Sequence, residues 1–187
     1  MRITGGVLCG RQVTVPDGII RPAMDRMRES VFAILGDLAG LSFLDLFSGS
    51  GIVALEAASR GAEPVEAVEM DALKRKTLLK NVLMAPARIN CRFMAVELYV
   101  KRTKKSFNII FCDPPFPYQY KRELAAAIAS SPLMVPGSRL LIHRPREKTA
   151  AGSRTRQVPG QDTGAVPNLT LKDRREYGRS IIDFFEK

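Results

Sequence analysis

The sequence predicts an α/β protein whose core is a mostly parallel sheet. Three observations carry that reading. Two apolar runs, Leu41–Phe47 and Phe107–Cys112, have the length and composition of buried strands. A turn and then a helical pattern follow each of them, with no second strand in between. The same alternation of strand and helix continues through residues 41–143, the arrangement that builds parallel sheets.

Taken in order, residues 2–15 read as two short strands around Gly5-Gly6 and Gly10, a hairpin. Met24, Met27, Val31, Leu35 and Leu38 then recur at helical spacing, and Gly40 ends that helix. Leu41–Phe47 is the first core strand, and Ser48-Gly49-Ser50-Gly51 turns it into a helix over Ile52–Arg60. Val65–Glu69 is the second strand, and Asp71 caps a helix running to Met84. Ile89–Met94 is the third strand and Glu97–Thr103 a short helix. The fourth strand, ending at Cys112, leads to a helix over Gln119–Ser130, and Arg139–His143 is the fifth strand. Residues 144–168 are rich in Gly, Pro, Thr, Arg and Gln without apolar period and read as a long loop on the substrate side. Ser180–Phe185 is a last strand, joined through Tyr177-Gly178 to a partner near Leu169–Leu171. With no helix between them, those two pair antiparallel. The chain reads as one domain, 1–187, with a hairpin and helix extension over 1–39 and the core over 40–187.

Composition narrows the function. No apolar run approaches bilayer length, and Met1-Arg2-Ile3-Thr4-Gly5-Gly6 has no signal-peptide core, so a cytoplasmic protein without a membrane partner is expected. Cys9, Cys91 and Cys112 form no CxxC pair, and one histidine, His143, cannot build a metal site or a hydrolytic triad. No metal is expected, and no segment reads as a dimer surface, so the expected state is a monomer. The net charge of +10 suits a polyanionic partner. It is concentrated in Lys74, Arg75, Lys76, Lys80, Arg88, Arg92, Lys101, Arg102, Lys104 and Lys105, where Glu97 is the lone acid, and in Arg139, Arg144, Arg146, Lys148, Arg154 and Arg156. Nucleic acid fits this clustering. A solvated face that aids solubility is the plainer alternative.

Parallel sheets bind ligands beyond the carboxyl ends of their strands, and the two most informative loops lie there. Asp45-Leu46-Phe47-Ser48-Gly49-Ser50-Gly51 ends a strand in a turn whose glycines let a ligand approach the backbone. Glu69, at the end of the next strand, can accept from both hydroxyls of a ribose. Gly49-x-Gly51-x-x-Ala54 also satisfies a dinucleotide pattern. Asp45 would repel a pyrophosphate and suits the ammonium end of a methionine moiety; otherwise it is a polar strand end that holds the loop. Asp113-Pro114-Pro115-Phe116 follows the fourth strand. An exocyclic amine on a base is a poor nucleophile, because its lone pair is delocalised into the ring. Acceptors aimed at its N–H bonds favour a pyramidal nitrogen, and Asp113 with the Pro114 carbonyl suits that task. Phe116 offers a face for an extruded base. By itself, Pro-Pro after a strand is also simply a rigid turn.

Together the two loops resemble motifs I and IV of the class I, amino-directed methyltransferases. Arg21-Pro22-Ala23-Met24-Asp25-Arg26-Met27-Arg28-Glu29 resembles the Arg-Pro-Thr-x-Asp-Arg-x-Arg-Glu signature of the RsmD family, bacterial 16S rRNA guanine-N2 methyltransferases. Arg2-Ile3, Gly5-Gly6, Gly10-Arg11, Glu56-x-x-Ser59-Arg60-Gly61-Ala62 and Tyr177-Gly178-x-Ser180 fit the same family. The resemblance implies a Rossmann-like sheet of seven strands with the last one antiparallel. It implies transfer of methyl from S-adenosylmethionine to a guanine N2 of 16S rRNA in a small-subunit ribosomal particle. It puts Asp45, Phe47, Ser48, Gly49, Ser50, Gly51, Glu69, Met70 and Val96 at the cofactor and Asp113, Pro114, Pro115 and Phe116 at the guanine. It puts Arg21, Asp25, Arg26 and Arg28 at the mouth of the site, where RNA phosphate meets the cofactor; the plainer alternative is an N-terminal helix with its own ion pairs, Asp25 to Arg28 for example. Three positions depart from the family pattern: Ala23 for Thr, Met94-Ala95-Val96-Glu97 where a small polar or acidic residue faces the adenine, and His143-Arg144-Pro145 where an acid is more usual. The rival readings are an adenine-N6 or DNA methyltransferase sharing the Asp-Pro-Pro-aromatic loop, a non-catalytic RNA-binding protein on this scaffold, and a dehydrogenase. A separate target-recognition domain would favour the first rival, and 187 residues leave little room for one.

Overall fold

The computed structural model describes residues 1–15, 22–115, 117–146 and 166–187. Arg21, Phe116 and most of the predicted 144–168 loop lie outside the described residues. Five strands run parallel: β1 (Phe43–Leu46), β2 (Val65–Glu69), β3 (Ile89–Phe93), β4 (Ile109–Cys112) and β5 (Arg139–Pro145). β6 (Thr170–Tyr177) and β7 (Ser180–Glu186) complete a seven-stranded sheet in the order β3-β2-β1-β4-β5-β7-β6, with β7 antiparallel to both neighbours. This is the Rossmann-like sheet with a reversed last strand that the sequence led us to expect. The chain leaves β1 in one direction and returns to β4 on its other side, so the loops after β1 and β4 flank the point where strand order reverses.

Alternation along the strands divides the core between the two faces. On one, Phe43, Val65, Ala67, Ile109 and Phe111 pack against α1 (Pro22–Leu35) and α2 (Ile52–Ser59) through Val31, Phe32, Leu55 and Ala58, and Val82 of α3 (Arg75–Val82) joins them. On the other, Leu44, Leu46, Val68, Ile110 and Cys112 meet Tyr99 of α4 (Val96–Arg102) and Leu124 and Ile128 of α5 (Lys121–Ser130). Each large apolar side chain so buried contributes about 1.5–3 kcal/mol. Burial also pushes the Cys112 thiol pKa well up, which leaves it an inert core residue.

Four local expectations are corrected. The N-terminal hairpin reduces to one antiparallel bridge, Arg2 to Gln12, around a 3-10 turn at Gly6–Leu8. Its backbone bonds to α2 instead, the Thr4 and Leu8 N–H groups donating to Glu56 Oε1 and Ser59 Oγ, and it packs so closely that a Cβ on Gly6 would lie 1.9 Å from the Ser59 carbonyl oxygen. Gly36, rather than Gly40, ends α1, and Leu38 is buried beyond the helix. Asp71 accepts from the Leu73 N–H at 2.9 Å in a turn ahead of α3 and is not that helix's cap. β6 runs to Tyr177, well past the three residues assigned to it, because an outer strand with little to bury carries no apolar alternation to read.

Candidate active site

A cleft of about 870 Å³ opens at the carboxyl edge of the sheet. It is lined by Phe47, Gly49, Glu69, Met70, Val96, Asp113, Pro114 and Pro115, so residues from both predicted motifs meet in one space. Beside it a cavity of about 170 Å³ is bordered by Asp45, Ser48, Gly49, Ser50 and Asp113 and by apolar side chains of α1. The larger volume lies within the range of small-molecule sites.

The loop after β1 is built from its own carboxylates. Asp45 is 1% exposed; its Oδ2 accepts from Ser48 Oγ at 2.6 Å and from the Ala54 N–H at 3.2 Å. Burial, with further repulsion from Asp113 and Glu69, raises its pKa to about 7 against the pull of those two hydrogen bonds. No lysine or arginine forms an ion pair with Asp45 among the described residues. Glu69 Oε2 accepts from the Gly49 N–H and Oε1 from the Asp71 N–H, each at 2.8 Å, with Lys74 Nζ 3.8 Å away. Two N–H bonds leave a carboxylate with further acceptor capacity. Phe47 sits at φ +64 with its ring edge-on to Tyr118, centroids 5.5 Å apart. Such backbone is uncommon for an aromatic residue and clusters at ligand sites. Gly51, at φ +80, has Leu78 Cδ1 2.6 Å from where a Cβ would be, so glycine is required there by conformation and by α3.

Across the cleft, the Asp113 N–H donates to the Leu46 carbonyl at 3.3 Å, and its side chain is 25% exposed. Asp113 Oδ1 lies 2.6 Å from Nδ1 of His143, which is 1% exposed. Met70 is exposed at the rim, and Val96 is buried at the start of α4. Glu97, one residue on, is exposed and accepts a bond from Tyr118 Oη.

Sequence reasoning missed His143 and Asn81 as site-building groups. Asn81, buried on α3, donates to the carbonyls of Thr14 (2.7 Å) and Ser50 (2.8 Å) and accepts from the Thr14 N–H (3.1 Å). It thereby ties the N-terminal segment to the loop after β1. The signal was a lone amide within a helix's buried stripe, between Leu78 and Val82. For His143 it was a polar residue ending an apolar strand at the same edge as Asp113.

The signature arginines separate. Arg26 is exposed. Arg28 is 3% exposed: its guanidinium donates to Glu56 Oε1 (2.8 Å), Asp25 Oδ1 (3.1 Å) and the Arg2 carbonyl (2.6 Å). Its expected RNA-facing position is therefore corrected to an interior one, and the alternative, a pairing with Asp25 along its own helix, is present. Glu56 also accepts from Arg60 and from the Thr4 N–H (2.7 Å), and Ser59 Oγ donates to the Gly5 carbonyl (2.6 Å). The motif at 56–62 is thus an anchor for the N-terminal segment. Of the basic stretch, Lys74 borders the cleft, while Arg92 and Lys105 bond Glu66. Lys76, Lys80, Arg88, Lys101, Arg102 and Lys104 are exposed and form no ion pair among the described residues.

This strand order, the reversed β7 and a cleft at the switch point carrying both loops define the class I methyltransferase fold. The chain belongs to the RsmD family: residues 1–186 match the family described as Conserved hypothetical protein 95. It is 37% identical over 122 residues to Ribosomal RNA small subunit methyltransferase D of Escherichia coli (strain K12), a stretch that covers 62% of this chain and 60% of that relative. The match therefore spans about three fifths of the relative's length. Over 195 residues the chain is 31% identical to the Putative rRNA methyltransferase YlbH of Bacillus subtilis (strain 168), covering 100% of this chain and 99% of that one. It superposes on the solved structure of the putative methyltransferase yhhF from Escherichia coli with a TM-score of 0.81 at 27% identity, covering 100% and 97% of the two chains.

Proposed function

We propose that the protein transfers a methyl group from S-adenosylmethionine to the exocyclic N2 of a guanine in 16S rRNA, on a small-subunit ribosomal particle. One observation carries this reading above the others. Asp45, a buried carboxylate with no cation partner among the described residues, shares a cleft system with Asp113 and its prolines. A dehydrogenase has no use for the second group, and the phosphates of a dinucleotide would be repelled by the first.

In this reading Asp45 takes the cofactor's ammonium, Glu69 its ribose hydroxyls, and Met70 and Val96 flank its adenine. Phe47 through Gly51 form the loop around it. The bound cofactor supplies a methyl group on a sulfonium sulfur. Asp113 and the Pro114 carbonyl accept the two N–H bonds of the target amine and direct its lone pair. Pro115 stiffens that loop, and Phe116 stacks on the base. As positive charge grows on the nitrogen, Asp113 stabilises it and takes the proton the product loses. Arg21 and Arg26 meet RNA phosphates at the mouth, and Arg28 holds the helix that carries Arg26.

The test uses tritiated S-adenosylmethionine and small subunits from cells lacking the gene, with wild type and Asp113→Ala compared by nucleoside analysis. Label recovered as N2-methylguanosine, and lost with Asp113→Ala, is the expected outcome. Label on adenine moves the reading to an adenine-N6 methyltransferase, and absence of cofactor binding overturns it.

A further inference from the structure

His143 departs from the family pattern, and its surroundings give it a task. Cys112 and Ile142 are register partners in the parallel β4–β5 pair, which brings the next residues, Asp113 and His143, side by side. Both backbones are fixed from their outer sides. Asp113 is bonded to Leu46 of β1, and His143 is paired with Ile182 of β7. The imidazole is buried, borders the cleft, and holds Nδ1 at 2.6 Å from Asp113 Oδ1.

An ionised carboxylate can only accept hydrogen bonds, so the ring must donate, and Nδ1 must carry the hydrogen. Torsion about an aspartate's terminal bond is otherwise broad and roughly two-fold. In a water-filled cleft such a group would present either oxygen in many orientations. We propose that His143 is the positioning residue for Asp113. Its Nδ1–H engages Oδ1, fixes the plane of the carboxylate and leaves Oδ2 for the N–H of the target amine. This rests on the assignment of Asp113 as the acceptor of that N–H. The gain is preorganisation: an acceptor aimed before the base arrives need not be ordered during transfer. His143 touches neither base nor cofactor in this role.

The chain has one histidine, so its imidazole signals need no assignment. Nitrogen-15 labelling of histidine in the full chain at pH 8 should show Nδ1 protonated, and Asp113→Ala should move that signal. His143→Asn keeps an N–H donor near the place of Nδ1, whereas His143→Leu keeps bulk and loses it. The Leu variant should lose about 30–100-fold in kcat, with KM for the subunit and cofactor affinity within about three-fold of wild type. The Asn variant should recover most of that loss. A ring protonated only at Nε2, or a Leu variant with wild-type kcat, would overturn the proposal. So would Asn and Leu variants equally weakened in cofactor binding, since that marks a merely structural residue. If the wild type labels adenine, the guanine assignment fails, but the kcat comparison still decides the role of His143, because any exocyclic amine needs the same acceptor. If no product forms, the nitrogen signal and its response to Asp113→Ala decide whether the positioning contact exists.

Discussion

At Glu56 the protein supplies every partner its carboxylate needs: two arginines, Arg28 and Arg60, and a backbone N–H from Thr4. At Asp45, on the preceding strand and equally buried, the described residues supply a hydroxyl and one N–H but no cation, and the pKa rises to about 7. Glu66 resembles Glu56. Burial pushes its pKa up, but bonds from Lys105, Arg92 and Tyr99 pull it below the ordinary range. The contrast separates framework from site. A buried acid with internal cations holds elements together, and Asp45, beside the cleft, is the acid that on the proposed function receives a cation from outside.

The largest effect that would sharpen this contrast is on stability. Glu56→Gln leaves Arg60 without a charge partner and Arg28 with Asp25 alone, and should cost about 3–5 kcal/mol. It should be read as a lowered denaturation midpoint, with cofactor affinity nearly unchanged at a temperature where the variant is folded. Arg28→Met belongs to the same group, and a selective loss of RNA affinity there would break the comparison.

Asp45→Asn should act in the opposite sense. The amide oxygen can still accept from Ser48 and Ala54, so the loop persists. Because its folded pKa is raised, Asp45 binds more protons in the folded state than in the unfolded one between about pH 4 and 7. Stability therefore falls as pH rises through that window, and the full cost is present above it. Asp45→Asn should stabilise the ligand-free protein at pH 8 by on the order of a few kcal/mol and have little effect at pH 4. Paired denaturation curves check the sign. The same linkage predicts that cofactor affinity in the wild type weakens as pH falls below 7, approaching tenfold per unit. It should weaken again above about pH 8, as the cofactor's own amine loses its proton.

The smallest effect is expected on the exposed cations. Lys101→Glu with Lys104→Glu should weaken binding to the proposed rRNA substrate several-fold and flatten its salt dependence, leaving kcat at saturation unchanged. Affinity measured at two salt concentrations reads it.

What the sequence made legible follows the same division. β1 and β4 were readable because strands buried on both faces are continuous apolar runs, and the loops after them carry residue types whose chemistry is local. β6 was underestimated because Lys172, Asp173, Arg174 and Arg175 on an outer strand look like a loop. Arg28 read as an RNA contact because its second acid, Glu56, lies 28 residues away on another helix. Neither Asn81 nor His143 could be assigned a role, since their partners Ser50 and Asp113 lie 31 and 30 residues away and only the fold joins them.

The most direct test of the central contrast is a binding cycle at pH 7.5, with wild type and Asp45→Asn each titrated calorimetrically with S-adenosylhomocysteine and with its deaminated analogue. Wild type should prefer the amine-bearing ligand by about 100-fold, and Asp45→Asn should lose most of that preference, a coupling of about 2–3 kcal/mol. Equal preference in both proteins would contradict the account and make Asp45 a loop-holding residue of the same kind as Glu56.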